Sequence, residues 1–362
     1  MLSLLPLNVI DLLTDLGTGQ VIAPDQREFL ADRLLTASPI FGITPDHLTQ
    51  VLEQRLALFP QIYPRLADFC QQKSLPDWPI TLWDLWLPLA IDLAHQKQQI
   101  DRPLIQAMLG GQGAGKTTLG WILSQILSVL GYCTLSWSID DLYKTYADRL
   151  QLQQTDPRLI WRGPPGTHDV ELGLTVLEQL RQGQSPIAIP RFDKSLHHGA
   201  GDRTVPDVVE QVDIVLFDGW FVGVQPVDPQ CCQTAPEPII TEADRAFARD
   251  CNQRLRDYLP LWHQCDRLWV LYLPDYRCSR QWRRQAEQEM RSSGKPGMTD
   301  DEIDAFVNYF WRALHPDLFI APLTQTADLV IEIQANHAPG QVYGATDLHP
   351  TCTARNEMAY TD

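Results

Sequence analysis

The apolar residues of the chain follow two different patterns, and the change between them falls near residue 100. Up to about residue 99 they recur at helical spacing, which predicts helices that open at Pro24 and at Pro45. Proline followed by acidic residues is typical of the first turn of a helix. A third apolar stretch, residues 83–94, is interrupted by Pro88. We predict a helical region over residues 1–100 that packs against the rest of the chain or forms an interface.

From Arg102 onward, short continuous apolar runs alternate with helical patterns. Such runs are expected of strands that are buried on both faces of a parallel sheet. The predicted strands are residues 104–109, 132–137, 214–217, 268–273 and 329–333. The helices between them indicate an α/β fold, a doubly wound and mainly parallel sheet over residues 101–335. Residues 336–362 are polar and aperiodic, which predicts a loosely held tail.

Composition and charge narrow the classes of function. The 362 residues carry a formal net charge of -16, and such a surface repels phosphate backbones, so we expect no nucleic-acid partner. The 8 cysteines include no Cys-x-x-Cys pair and no zinc-ligand spacing, which predicts free thiols. No apolar run reaches the ~18 residues of a membrane span, and the N-terminus lacks signal-peptide and transit-peptide character. We expect a cytoplasmic protein without a membrane partner.

A glycine-rich loop, Gly-Gly-Gln-Gly-Ala-Gly-Lys-Thr, lies between the first predicted strand and a long apolar helix. Glycines let backbone N–H groups turn towards phosphates, the lysine can reach the β- and γ-phosphates, and the threonine hydroxyl can bind Mg²⁺. The context of strand, loop and helix is the one that this phosphate loop requires. The predicted ATP-binding residues are Gly110, Gly111, Gly113, Ala114, Gly115, Lys116, Thr117 and Thr118.

Two carboxylates follow predicted strands, where the ligand crevice of a doubly wound sheet lies. Asp140, in Ser-Ile-Asp-Asp-Leu-Tyr, can accept the proton of an attacking hydroxyl, although it or Asp141 can equally cap a helix. Asp218 ends an apolar strand in the manner of a Walker B motif and, with Thr117, is a candidate Mg²⁺ ligand. A strand-ending Asp-Gly turn is the alternative for Asp218.

Basic residues gather in the loops between these motifs. Basic loops in so acidic a protein suggest an anion-binding site, and arginine is well suited to bind a carboxylate. The alternative is that these residues are ordinary charged side chains of solvent-exposed loops. The candidate substrate-binding residues are Arg162, His168, Arg191, Asp193, Lys194 and Arg203. After the fourth strand, Arg283 and Arg284 belong to an arginine cluster that can close over the transferring phosphoryl group as a lid. An exposed basic helix face is the alternative.

The motifs together resemble the P-loop small-molecule kinases that include phosphoribulokinase, uridine kinase and bacterial pantothenate kinase, and most of all plant-type D-glycerate 3-kinases. The resemblance covers roughly residues 102–333. The segments that carry it are Gly-Gly-Gln-Gly-Ala-Gly-Lys-Thr-Thr at 110–118, Ser-Ile-Asp-Asp-Leu-Tyr at 138–143, Gly-Pro-Pro-Gly-Thr-His-Asp at 163–169, Pro-Arg-Phe-Asp-Lys-Ser at 190–195 and Phe-Asp-Gly-Trp at 217–220.

This resemblance implies a parallel five-stranded core and transfer of the ATP γ-phosphate to a substrate hydroxyl. It implies that Asp140 is the catalytic base, that Asp218 is the Walker B-like carboxylate, and that Arg283 and Arg284 lie in the lid. For a glycerate kinase, the substrate is a small hydroxy acid and the product is 3-phosphoglycerate, which returns carbon in photorespiration. The missing transit peptide departs from plastid members and suggests a bacterial-type cytoplasmic enzyme.

Two other hypotheses remain at this stage. A kinase of the same fold can act on another acceptor, such as a nucleoside or pantothenate, and residues 298–318, with Trp311, resemble a pantothenate kinase helix. A regulatory ATPase without an acceptor has less support, because the chain has no Asn-Lys-x-Asp motif, no Asp-x-x-Gly switch and no Asp-Glu Walker B pair.

Overall fold

A six-stranded sheet forms the centre of the protein in a computed structural model, which describes residues 8–37, 39–75, 77–292 and 297–345. Its strands are β1 (Leu104–Gly110), β2 (Thr134–Ser138), β7 (Ile214–Gly219), β8 (Arg267–Tyr272), β9 (Leu329–Ile333) and β10 (Pro339–Tyr343). Two small ribbons pair β3 (Ile187–Ile189) with β6 (Asp207–Val209), and β4 (Phe192–Asp193) with β5 (Asp202–Arg203).

The strand order is β10-β9-β8-β1-β7-β2, and all neighbours except β10 and β9 run parallel. The predicted doubly wound, mainly parallel sheet is therefore confirmed. All five predicted strands form, with ends that shift by at most two residues. Alternate residues of β1 face opposite layers: Leu104 and Met108 enter one apolar core, whereas Ile105 and Leu109 enter the other. Burial on both faces explains why the strands are continuously apolar.

The sheet extends beyond residue 335, where the sequence predicts that the loosely held tail begins. Strand β10 pairs antiparallel with β9, with Val342 opposite Ile331 and Tyr343 opposite Val330. Strand β10 lies at the edge of the sheet and is only partly buried. Its residues are therefore mixed in polarity and form no continuous apolar run. Residues 346–362 of the predicted tail lie outside the described residues.

Helices cover both faces of the sheet. They are α1 (Val9–Gly17), α2 (Pro24–Ala37), α3 (Leu48–Gln72), α4 (Trp78–Thr81), α5 (Leu87–Gln98), α6 (Lys116–Val129), α7 (Tyr146–Thr155), α8 (Val170–Arg181), α9 (Glu242–Arg254), α10 (Leu259–Gln264), α11 (Cys278–Ser292), α12 (Asp300–Ala313) and α13 (Pro316–Phe319). Short 3-10 turns occupy Pro39–Phe41, Ile139–Leu142, His197–Gly199, Pro229–Thr234, Leu255–Tyr258 and Ala321–Gln325. Within the described ranges, no helix is both long and apolar enough to cross a membrane.

Pro88 does not end the helical stretch in which it lies, although the sequence predicts an interruption there. A π-helical segment, Leu82–Trp86, joins α4 to α5, and the Leu87 N–H bonds the Leu82 carbonyl five residues back. Proline has no N–H to donate, so a locally widened turn lets the chain continue without the bond that an α-helix would need. The helix predicted at Pro45 begins slightly later, at Leu48.

The N-terminal helices share one continuous apolar core with the sheet. This core, on the face that α6 covers, runs from Leu12 to Ile333. Phe69 of α3 stacks on Trp121 of α6 with ring centroids 3.9 Å apart. Helices α3 and α5 thus support the helix that begins at the phosphate loop. The predicted helical region packs against the rest of the chain, which is one of the two roles expected for it.

Candidate active site

The phosphate loop connects β1 to α6 and has the backbone that its glycines permit. Gly113 and Gly115 have φ values of +79° and +86°, in the left-handed region that favours glycine. A Cβ on Gly113 would lie 3.0 Å from the ring of Trp282 in α11. Because Gly115 immediately precedes α6, the free N–H groups of that helix point towards the mouth of the loop. This arrangement fits a bound phosphate chain.

Lys116 lies beneath this loop. Its Nζ donates hydrogen bonds to the carbonyl oxygens of Gly110, at 2.6 Å, and Gly111, at 3.1 Å. Burial lowers the pKa of Lys116, while the negative charges of Asp218 and Asp140 act in the opposite direction. The ammonium group is therefore held between the loop and two carboxylates, where it can contact a phosphate.

A cavity of about 1210 Å³ opens beside the loop, at the carboxyl ends of β2 and β7. Its charged lining residues are Lys116, Asp140, Asp141, Arg149, Arg162, Lys194, Asp218, Arg283, Glu287 and Glu302. Gln112, Gly113 and Thr117 complete its phosphate-loop side. The cavity thus joins the predicted ATP site to Asp140, the predicted base, and to Asp218, the predicted metal ligand.

Asp140 presents its carboxylate to this cavity. Lys194 Nζ donates to Oδ2 at 2.6 Å, and the Tyr143 hydroxyl donates to Oδ1 at 2.8 Å. Burial alone would raise the pKa of Asp140, but the Lys194 charge and these two hydrogen bonds outweigh it and lower that pKa. Asp140 is therefore ionised at neutral pH, beside the loop that receives the phosphates.

The neighbouring carboxylate, Asp141, has a structural role. It accepts hydrogen bonds from the backbone N–H of Ser138, at 3.3 Å, and of Phe192, at 3.2 Å. Arg191 Nη1 lies 3.1 Å from its Oδ2. With the Ser138 hydroxyl, Asp141 forms a capping box around the turn Ile139–Leu142. The turn directs Asp140 to Lys194 and Tyr143 while Asp141 ties the turn to Phe192.

Asp218 ends β7 on the same side of the cavity. The Ser138 hydroxyl donates to its Oδ1 at 3.1 Å. Burial raises the pKa of Asp218, although the Lys116 charge opposes that shift. In the described part of the chain, no cluster of three or more His, Cys, Asp or Glu residues could hold a metal ion alone. A Mg²⁺ ion here would take most ligands from phosphate oxygens and water, as Mg²⁺ commonly does.

Among the six predicted substrate residues, Arg162 and Lys194 line the cavity and the other four do not. Arg191 does not line the cavity. Its guanidinium pairs instead with Asp207, at 2.7 Å, and with Asp141. Asp193 accepts hydrogen bonds from the Ser195 backbone and hydroxyl at 2.8 and 2.6 Å. Both residues therefore stabilise the loop that carries Lys194, and neither faces the cavity.

His168 and Arg203 support Tyr143 from behind. The His168 ring is buried and stacks on Tyr143 with centroids 4.6 Å apart, and its Nδ1 lies 2.8 Å from the Tyr258 hydroxyl. Burial lowers the pKa of His168 to about 3, so the ring is neutral. Arg203 donates to the Tyr143 carbonyl and to Asp169, each at 2.9 Å. Neither residue lines the cavity, so direct contact of His168 or Arg203 with the substrate stays a prediction.

The two arginines that are predicted to lie in a lid, Arg283 and Arg284, are on different sides of α11. Arg283 lines the cavity, pairs with Glu287 at 2.5 Å, and has its guanidinium carbon 5.2 Å from the Phe306 ring centroid. Arg284 instead pairs with Asp304 of α12 at 2.7 Å and does not line the cavity. Consecutive residues of a helix point about 100° apart, which explains why only one of them faces the cavity.

Arg149 is a charged cavity residue that the sequence does not indicate. Arg149, in α7, is 7% exposed and lines the cavity next to Arg162. No motif marks it, because an arginine within an otherwise polar helix reads as part of a solvated face. The sequence holds one indication that Arg149 faces the cavity. Arg149 follows Tyr146 by three residues, which places both side chains on one face of α7.

The chain is similar to known kinases over most of its length. It is 29% identical to "D-glycerate 3-kinase, chloroplastic" of Arabidopsis thaliana, over 81% of this chain and 67% of that protein. It is 30% identical to "Uncharacterized kinase mug58" of Schizosaccharomyces pombe, over 60% of this chain and 82% of that protein. The solved structure of D-glycerate 3-kinase from Cryptococcus neoformans var. grubii has a TM-score of 0.63 and 25% identity, covering 71% of this chain and 97% of that one. The chain matches no protein-family model.

Proposed function

The chain belongs to the family of P-loop kinases that includes D-glycerate 3-kinase, and we propose that it transfers the γ-phosphate of ATP to D-glycerate, giving 3-phosphoglycerate. As a member of this family it is an ATP-dependent kinase with an alcohol group as acceptor. The identity of the acceptor, the roles of the site residues and the requirement for Mg²⁺ are the parts that we propose.

One observation carries the proposal: an ionised carboxylate, Asp140, shares a cavity with the phosphate loop. The acceptor hydroxyl donates to Asp140 and is thereby aimed at the γ-phosphorus. A bond forms between that oxygen and phosphorus as the bond to the β,γ-bridging oxygen breaks. The hydroxyl proton passes to Asp140, and ADP leaves. Phosphoryl transfer needs positioning and charge stabilisation more than it needs a strong base, so a carboxylate of lowered pKa is suitable.

The cations of the cavity divide this work between them. Lys116, under the phosphate loop, stabilises charge on the β- and γ-phosphates. Lys194 holds the Asp140 carboxylate in place through its 2.6 Å hydrogen bond. Arg283 faces the cavity from the lid helix α11, where it can approach the transferring group. Thr117 and Asp218 are the residues suited to hold Mg²⁺, which would supply positive charge that stabilises the phosphates.

A coupled assay tests the acceptor. Purified protein with Mg-ATP is offered D-glycerate, pantothenate or uridine, ADP release is measured, and ³¹P NMR identifies the phosphorylated carbon. We expect ADP release with D-glycerate and formation of 3-phosphoglycerate. Lys116→Ala, which removes the loop ammonium, should abolish turnover with any acceptor.

Three other outcomes would each contradict the proposal. Rapid turnover of pantothenate or uridine alone would favour another acceptor. ATP hydrolysis that no acceptor stimulates would favour the regulatory ATPase. Formation of 2-phosphoglycerate would change the hydroxyl that is phosphorylated. The predicted cytoplasmic location and photorespiratory role stay predictions, which fractionation and a gene deletion can test.

A further inference from the structure

Two arginine side chains lie together in the cavity and share one acceptor. Arg149 Nη1 and Arg162 Nη1 both donate to the carbonyl oxygen of Ala200, at 2.8 and 3.0 Å. Arg149 also donates to the Gly201 carbonyl, and Arg162 donates to that of Gly199 at 2.7 Å. Three successive carbonyls of one loop therefore hold two like charges side by side.

Among the described residues, neither guanidinium has a carboxylate partner. In the part of the chain that the structure describes, no carboxylate oxygen lies within 4.0 Å of either group, whereas Arg283 in the same cavity pairs with Glu287. Arg149 is 7% exposed, and its Nε, which is also buried, has no hydrogen-bond partner among the described residues. Burying a charge without a directly paired counter-charge is costly. The neighbouring Arg162 charge adds to the cost for Arg149, and the Asp202 charge offsets part of it from beyond ion-pair distance. A bound anion would relieve this cost.

The pair is held rigidly, as a recognition site requires. The Phe192 ring centroid lies 5.2 Å from the Arg149 guanidinium carbon and 5.7 Å from that of Arg162. Gly201 has a φ of +72°, and a Cβ there would lie 2.3 Å from Phe192. Only glycine lets the loop approach this closely and place its carbonyl on Arg149. The guanidinium groups are thus positioned before any ligand binds, which reduces the entropy cost of binding.

The pair also lies next to the proposed base. The Arg162 guanidinium carbon is 5.9 Å from the Tyr143 ring centroid, and the Tyr143 hydroxyl bonds Asp140 at 2.8 Å. Tyr143 therefore connects the two groups along one wall of the cavity. The nucleotide has a separate cation, Lys116 of the phosphate loop.

We propose that Arg149 and Arg162 together bind the carboxylate of the acceptor acid and so select a short hydroxy acid over neutral polyols. The inference rests on the proposed function. The carboxylate lies against the arginine pair, and a hydroxyl of the same molecule reaches Asp140. Each arginine offers N–H donors in the planar fork that matches a carboxylate. Both residues are specificity-determining, and neither takes part in the transfer of the proton.

The test compares two ligands of nearly the same shape: D-glycerate, whose charged carboxylate accepts through two oxygens, and D-glyceramide, whose neutral amide keeps one acceptor oxygen. Equilibrium affinities are measured by calorimetry in the presence of Mg-ADP, for the wild type and for Arg162→Gln, Arg162→Lys and Arg149→Lys. The control is Arg27→Gln, which removes an exposed arginine that pairs with Glu53 outside the cavity. Thermal melting of every variant checks that it is folded.

We expect the wild type and the control to bind glycerate roughly 10- to 100-fold more tightly than glyceramide, the value of a charge-assisted hydrogen-bonded contact. Arg162→Gln should lose most of this ratio, and the two lysine variants should keep part of it because the charge remains. An unchanged ratio in Arg162→Gln and Arg149→Lys would overturn the proposal. Equal loss of both ligands would also overturn it, because it would indicate a merely structural role.

Binding separates this inference from the proposed function. If the wild type binds glycerate through the pair and yet forms no phosphoglycerate, the proposed function fails while the arginine pair stands. If it phosphorylates glycerate and glyceramide with equal kcat/KM, the proposed chemistry stands and the assignment of the arginine pair fails.

Discussion

Asp140 and Asp141 are adjacent in sequence and differ in their contacts. Both line the cavity, but the Asp141 carboxylate accepts bonds from two backbone N–H groups and pairs with Arg191, whereas the Asp140 carboxylate accepts bonds from the side chains of Tyr143 and Lys194. The capping box holds the turn Ile139–Leu142 so that the Asp141 carboxylate bonds the backbone while the Asp140 carboxylate bonds cavity side chains. A general base must face the substrate hydroxyl, and of these two neighbours Asp140 is the one whose carboxylate is held by cavity side chains and not by the backbone.

We expect Asp140→Asn to lower kcat by ~10²–10⁴ and to leave ATP binding intact, because asparagine keeps the size but cannot take the proton. Asp141→Asn should lower kcat much less and should instead lower the melting temperature, since its carboxylate stabilises the turn. Steady-state kinetics and thermal melts of both variants check this. A loss of turnover in Asp141→Asn greater than that in Asp140→Asn would reverse the assignment.

We expect the free energy of unfolding to depend on pH because the ring of His168 is buried. Burial lowers the pKa of its ring to about 3, from 6.5 in an unfolded chain. Between these values the unfolded state binds a proton that the folded state does not, so this stability is complete above pH 6.5 and is lost as the pH falls towards 3. The free energy of unfolding should fall by about 2 kcal/mol more in the wild type than in His168→Gln between pH 7 and pH 5. Urea denaturation at both pH values measures it, and equal losses would show that His168 is not buried in its neutral form.

At the level of single residues, the sequence predicts the phosphate loop and the two carboxylates but misplaces several cations. The loop is local: its strand, glycines and helix are consecutive, so spacing alone defines it. Arg191 and Arg203 lie in loops whose ion pairs form with distant carboxylates, and no local pattern reveals those partners. Arg149 faces the cavity because the loop at Ala200 folds over α7, which is also a tertiary contact.

At the level of secondary structure, α11 separates two arginines that the sequence treats alike. Arg283→Ala should lower kcat by ~10²–10³ with little change in the KM for ATP, because a donor aimed at the transferring group acts mainly in the transition state. Arg284→Ala should change kcat less than about twofold, since it removes only a partly exposed ion pair with Asp304. Steady-state kinetics measure kcat for both variants. Equal losses of kcat would mean that α11 rotates during catalysis and brings Arg284 to the transferring group as well.

The elements themselves are predicted best where they are buried on both faces. The five parallel strands give continuous apolar runs, and all five form. Strand β10 and the two short ribbons escape prediction because each is short, partly exposed and mixed in polarity. The segment before Pro88 stays helical because a π turn lets the chain continue without the N–H that proline lacks, and apolar periodicity does not reveal such a turn.

At the level of the whole molecule, the N-terminal helices and the kinase sheet should unfold together, because they share one core. Phe59 of α3 is fully buried in that core, 5.6 Å from the Trp83 ring. Phe59→Ala should lower the free energy of unfolding by ~3–5 kcal/mol. Val21→Ala is the control: Val21 is 98% exposed, so its truncation should change stability by less than about 0.5 kcal/mol.

Circular dichroism and kinase activity, followed through the same thermal melt, give the readout for Phe59→Ala. We expect one cooperative transition in which helical signal and activity are lost together at a lowered temperature. Two separate transitions, with activity surviving the first, would instead show that residues 1–100 form an independent domain.

The contact between Trp282 and Gly113 has a consequence for the evolution of this family. The indole of α11 fills the space that a side chain on the phosphate loop would need, and its own N–H is tied to the Ala335 carbonyl at 2.9 Å. The two positions therefore cannot diverge independently. Gly113 needs both its positive φ and the space that Trp282 leaves, so relatives that keep this contact should keep glycine there, and α11 thereby limits which phosphate-loop sequences natural variation can sample.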